Sequence, residues 1–206
     1  MDKEGIIKFK IIFKKENSVL QEDISAINEW RNILFDKKLI GCANGIGYGN
    51  VSVLADRFYD DKKAFIITGS QTGNVSELTN KDYCAVIEYD FEKNLIVAKG
   101  LVKPSSESLS HAAFYDMDDE MKSVIHVHSA KLWEEADKLN ISMIDKNAEY
   151  GSKEMPAEII KTYKRYKKKK INLFCMAGHK HGLISFGKDP DQAGYAILEA
   201  LKRLEK

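Results

Sequence analysis

Four of the five histidines in this 206-residue chain fall in two His-x-His pairs, His126-Val127-His128 and His179-Lys180-His181. In an extended strand, residues two apart share a face, so one pair can offer two imidazoles to the same ion. Imidazole nitrogens hold zinc at about 2.0–2.1 Å, and a catalytic site typically uses three protein ligands and leaves a fourth position open. The expected chemistry is therefore that of one divalent metal ion per chain, zinc first and other divalent metals as alternatives. Spacing leaves open whether His179 or His181 completes the set.

Three other segments have the makings of an anion site. Gly41 to Asn50 carries four glycines in ten positions and reads as a loop with unusual backbone angles. Glycine lets backbone N–H groups approach a phosphate closely, and the Asn50 side chain adds a donor. A tight structural turn explains the same glycines. The segment Ile67-Thr68-Gly69-Ser70-Gln71-Thr72-Gly73 has the same character, with Ser70 and Thr72 as hydroxyl donors. In Pro104-Ser105-Ser106-Glu107 the serines read either as a helix cap or as anion donors, with Glu107 as a base beside the metal. His111 lies four residues after Glu107, on the same face of a helix starting near Ser106, where it would orient the glutamate or simply pack.

The elements that must hold these residues follow from periodicity. Ile6 to Phe13 reads as a strand, and Ile24, Ile27, Trp30, Ile33 and Leu34 recur at helical spacing. Strands are expected at Val51–Leu54, Ala64–Thr68, Ala85–Tyr89, Leu95–Gly100 and Val124–Ser129. Helices are expected from Pro104 through His111 to about Tyr115, from Pro156 to about Lys168, and from Asp191 to Arg203. Leu173 to Phe186 is strand-rich. Strands in runs with helices around them suggest a mixed α/β sandwich rather than regular βαβ alternation.

Bulk composition excludes several classes. The chain is 44 % hydrophobic and 31 % charged with a formal charge of +1, which gives no global field for nucleic acid or a membrane surface. The basic run Lys164 to Lys170 falls at the end of an expected helix, where cations complement the helix dipole. Three widely spaced cysteines form no CxxC pair and fit a reducing compartment, so a cytoplasmic location is expected. No apolar run approaches the roughly 20 residues that span a bilayer. One domain over residues 1–206 is expected, with 1–20 as an N-terminal strand extension.

Taken in order, these residues resemble a known family. Gly49-Asn50-Val51-Ser52, Ile67-Thr68, Pro104-Ser105-Ser106-Glu107 with His111 and Tyr115, His126-x-His128-Ser129, and His181-Gly182-Leu183 with Gly187 look like the class II aldolase/adducin family, over about Ile24 to Glu199. The resemblance implies an α/β (α+β) three-layer sandwich with a largely antiparallel central sheet flanked by helices. It implies His126, His128 and His181 as metal ligands, Glu107 as catalytic acid/base, and Gly49, Asn50, Thr72, Gly73, Ser105 and Ser106 around a substrate phosphate. It implies a zinc-dependent, aldolase-type lyase acting on a small sugar phosphate through a metal-stabilised enediolate, in a homo-oligomer, commonly a tetramer. An epimerase or dehydratase would share that intermediate, and a non-catalytic adducin-like scaffold is the alternative of a different class. The segment between Ser129 and Gly151 is shorter than in the family's aldolases, and the family's tyrosine there has no matched counterpart. Cupins also combine HxH with a glutamate and a later histidine, but their glutamate follows the pair and their fold is all-β.

Overall fold

The computed structural model describes residues 6–55, 63–167 and 172–205. The alternating segments become strands of one sheet: β1 (Lys10–Lys15), β4 (Asn50–Leu54), β5 (Phe65–Thr68), β6 (Tyr83–Asp90), β7 (Leu95–Gly100) and β8 (Ser123–His128). β9 (Ser142–Ile144), β10 (Leu173–Met176) and β11 (Gly182–Gly187) complete it. Among the described residues the order is β1-β7-β6-β5-β4-β8-β11-β10-β9. All pairings are antiparallel except β1 with β7 and β9 with β10.

Among the described residues five α-helices cover the two faces: α1 (Gln21–Asp36), α2 (Ser108–Met117), α3 (Ala130–Glu134), α4 (Glu154–Tyr166) and α5 (Pro190–Leu204). Ile24, Ile27, Trp30 and Leu34 of α1 join Ile197 of α5 and Leu132 of α3 in one buried cluster with Val51, Ile125 and Val127. Phe114 of α2 and Ile159 of α4 pack on Val124, Ile184 and Phe186 from the other face. Successive β8 residues thus feed opposite cores, which is the period-2 pattern of a sheet buried on both sides. The three layers are those expected from the resemblance.

Several local expectations change. The glycine-rich segment is not all loop: β2 (Gly41–Ala43) and β3 (Ile46–Tyr48) form a separate antiparallel hairpin turned through Asn44 and Gly45. The first strand lies later than Ile6–Phe13, because Lys10 to Lys15 is what pairs with β7. Pro104 forms an isolated antiparallel bridge with Gly69, and α2 starts only at Ser108. Lys168 and the rest of the basic run to Lys170 lie outside the described residues. Lys164 and Arg165 occupy the last turn of α4, the favourable end for cations. None of the described helices is long and apolar enough to cross a membrane.

Candidate metal and anion site

β8 sits between β4 and β11, and its register sets the site. His126 is opposite Asn50 on one side and Ile184 on the other, while His128 is opposite Gly182. The two imidazole Nε2 atoms are 3.1 Å apart. Ligands on a tetrahedral zinc are separated by about 3.3 Å when each bond is about 2.0–2.1 Å, so the pair is spaced for a shared ion. The third ring is that of His179. Ligand atoms of His126, His128 and His179 all lie within 4.8 Å of one another, and it is this trio among the described residues that could hold a metal.

The reason His179 rather than His181 joins the pair lies in the turn between β10 and β11. His179 N–H donates to Met176 O, and His179 O accepts from Gly182 N–H. His181 adopts φ +64°, which breaks the strand alternation, and its ring sits edge-on to Trp133 at 6.1 Å. Gly182 leaves room for the chosen ring: a Cβ there would lie 3.0 Å from His179 Cγ.

His126 is prepared as a neutral donor. Its Nδ1–H donates to Leu183 O at 2.9 Å, which leaves Nε2 as the lone-pair nitrogen facing its neighbours. Burial first, and then the adjacent His179 and His128 rings, hold its pKa well below the ordinary value. The three imidazoles pack at ring separations of 4.8–4.9 Å, and neutral imidazole is the metal-binding form. The donor set therefore fits a divalent transition ion.

Glu107 lies at the rim of the cluster, buried, with Oε1 3.8 Å from His179 Nδ1. Its Oε2 accepts a 2.6 Å hydrogen bond from Ser110 Oγ, one turn along α2. Of the two roles open to His111, orienting this glutamate falls to Ser110 and the packing role is the one His111 takes. His111 instead packs in the interior with Nδ1 2.7 Å from Ser52 Oγ, which also bonds the Tyr115 hydroxyl at 2.6 Å. Burial depresses its pKa to about 3.

One pocket gathers Gly49, Asn50, Thr72, Gly73, Ser105 and Ser106 beside Glu107, His126 and His179. Asn50 is buried, and its Oδ1 has no hydrogen-bond partner among the described residues. Ser105 Oγ accepts from Glu107 N–H in the turn before α2 and donates to no described residue. Thr72 contributes differently from its expected hydroxyl contact, because Oγ1–H is donated to Gly69 O. Gly73 is demanded by packing: a Cβ there would collide with Gly41 O and lie 2.9 Å from Gly47 Cα. The β2–β3 hairpin and the 72–74 turn can lie together only with glycine at that point.

Sequence reasoning missed Tyr150. Its ring packs against His179 at 4.8 Å, and its hydroxyl lies 2.8 Å from Ser106 Oγ and 3.1 Å from Ile6 O. Lys8 Nζ donates to Tyr150 O, so the segment before β1 fastens this tyrosine over the pocket. Nothing in local periodicity marks a loop tyrosine whose partners are 44 and 144 residues away.

This sheet, helix arrangement and histidine-lined pocket define a class. The chain matches the Class II Aldolase and Adducin N-terminal domain over residues 41–205, and it belongs to that family. An L-fuculose 1-phosphate aldolase superposes with a TM-score of 0.64 at 19 % identity, over 92 % of this chain and 85 % of its own. A sugar-phosphate aldolase from Thermotoga maritima gives 0.68 at 22 % identity, over 89 % and 92 %. The N-terminal class II aldolase domain of a conserved Thermoplasma acidophilum protein gives 0.62 at 16 % identity, over 91 % and 94 %. At these identities the likeness is one of fold.

Proposed function

We propose that this chain is a divalent-metal-dependent lyase of the aldol type, with zinc as the metal and a small sugar phosphate as substrate. One observation carries the reading: two imidazoles of a three-histidine cluster, a buried carboxylate and two glycine- and serine-bearing loops line a single pocket. Membership of a family named for class II aldolases supports it, as do fold neighbours described as sugar-phosphate and fuculose-phosphate aldolases.

His126, His128 and His179 would hold the cation. When bound, it supplies Lewis-acid stabilisation of the negative charge that develops on the substrate oxygens as a C–C bond breaks or a C–H proton leaves. Glu107 would take and return the proton at the carbon concerned, and Ser110 holds one carboxylate oxygen so that the other faces His179. Asn50, Ser105 and Ser106, with the Gly73 amide, would bind the phosphate and fix the reacting carbons against Glu107. Epimerisation and dehydration draw on the same groups, so the product follows from the substrate's own leaving group. A homotetramer is proposed with this activity, and light scattering reads it directly.

Elemental analysis of the purified chain beside His126→Ala tests the metal reading. About one zinc per chain, lost in the variant, is expected; no uptake by either protein would turn the reading to a scaffold role. With metal in place, Glu107→Gln is expected to retain zinc and lower turnover of a ketose phosphate by about 10²–10⁴. Undiminished turnover would remove the proton-transfer role.

A further inference from the structure

Arg31 is among the largest fully buried side chains of the molecule, 1 % exposed, in the middle of α1. A buried guanidinium needs partners, and here they are backbone carbonyls rather than an acid. Nη1 donates to Ser76 O at 2.7 Å, and Nη2 donates to Thr72 O at 3.3 Å and to Val75 O. The Phe35 ring covers the group at 4.5 Å. Among the described residues no carboxylate lies within ion-pair distance of it. Asn32 Oδ1 also accepts from Nη1, at 3.5 Å, and the charges of Asp82 and Asp36 favour the cation from farther off, but the carbonyl partners all come from one short loop.

That loop is the Thr72–Gly73 side of the pocket. In a trans peptide the C=O and the following N–H point in opposite directions. Turning Thr72 C=O toward Arg31 consequently turns Gly73 N–H away from it, and Gly73 lines the pocket. Asn50, whose side-chain amide carries N–H donors, lines the same pocket.

We propose that Arg31 is the positioning residue of the anion site: it gathers the 72–76 carbonyls and thereby presents the loop amides, backed by a positive charge, to a phosphate. The inference rests on the anion-binding reading of the pocket given above. It adds a residue that touches neither metal nor substrate.

The test is the affinity of the zinc-loaded protein for inorganic phosphate, measured by isothermal titration on wild type, Arg31→Lys and Asn28→Ala. Lysine keeps the charge but lacks the rigid fork whose two nitrogens divide the Ser76 carbonyl from those of Thr72 and Val75. Asn28 also straps the following segment, donating to Leu78 O at 3.1 Å, and serves as the control for general loosening. Arg31→Lys is expected to weaken phosphate at least about tenfold with zinc content unchanged, and Asn28→Ala to move it less than about twofold. Equal phosphate affinity in Arg31→Lys and wild type, or an equal loss in Asn28→Ala, would overturn the proposal. Absence of phosphate binding by zinc-loaded wild type would instead remove the anion reading, and this inference with it. Should Arg31→Lys fail to fold, the wild type decides: phosphate must shift the Arg31 guanidinium N–H resonances and slow exchange of the Gly73 amide. Resonances unmoved at saturation overturn the assignment.

Discussion

A methyl group at Gly182 would press on the His179 ring, at 3.0 Å from Cγ and 3.1 Å from Nδ1, so backbone and ligand geometry are coupled there. The same turn sends His181 to Trp133. His179→Ala is therefore expected to lower zinc affinity at least about 100-fold, comparable with the upper end of losses from disturbed ligand support. His181→Ala is expected to keep stoichiometric zinc. Chelator competition separates the two, and the reverse ranking would move the third donor to His181. The β8 pair was legible in the sequence because strand alternation is a rigid rule, and the structure has His126 and His128 on one face. The third histidine was not, since alternation lapses where His181 takes φ +64°. Arg31 escaped for another reason: an arginine inside an amphipathic helix reads as solvated until its three carbonyl partners, 41 to 45 residues away, are known.

At the scale of elements, the long periodic segments and the short apolar strands β4 and β5 were legible, and other short elements were not. α1, α4 and α5 each bury one stripe of apolar residues, which spacing reveals. β9 has three residues and α3 five, too few for a period to register, and the β2–β3 hairpin is concealed by its glycines. The contact between α2 and α4 depends on a polar joint that periodicity also hides. Asp118, just after α2, accepts from the Tyr163 hydroxyl at 2.6 Å and pairs with Lys167 at 2.9 Å. The Tyr163 bond first, then Lys167, hold the Asp118 pKa at about 2. An unfolded aspartate titrates near about 3.9. Between those values the folded chain binds fewer protons, so the contribution is complete above about pH 4 and vanishes as pH falls through 2. Asp118→Asn is expected to cost about 1–2 kcal/mol at pH 7 by urea unfolding. The gap to wild type should narrow below pH 4; a gap that persists at pH 2 would assign the loss to packing instead.

For the whole molecule, the layered sandwich follows from strands that are apolar on both faces, which require helices above and below. The same double burial places polar groups where water cannot reach them. His111, fully buried on α2, bonds Ser52 on β4 through Nδ1, and its Nε2 has no partner among the described residues. Burial alone depresses its pKa to about 3, against about 6.5 for an unfolded histidine. From pH 6.5 down to 3 the unfolded chain binds a proton that the folded chain refuses, so global stability rises with pH across that window. The slope from this residue is at most about 1.4 kcal/mol per pH unit, and its contribution is complete above about pH 6.5. His126 is also held neutral by burial and adds to the slope, but equally in any variant that keeps it. His111→Asn is therefore expected to be less stable than wild type at pH 7, having lost the fitted ring, while losing less with each unit of acidification. Urea unfolding at pH 7, 6 and 5, with chelator present so that metal release does not contribute, gives both slopes. A shallower slope for His111→Asn makes this buried imidazole a source of the molecule's acid sensitivity. Parallel slopes would mean that the ring takes up its proton inside the folded chain, with water reaching a site that the packing of α2 against the sheet closes off.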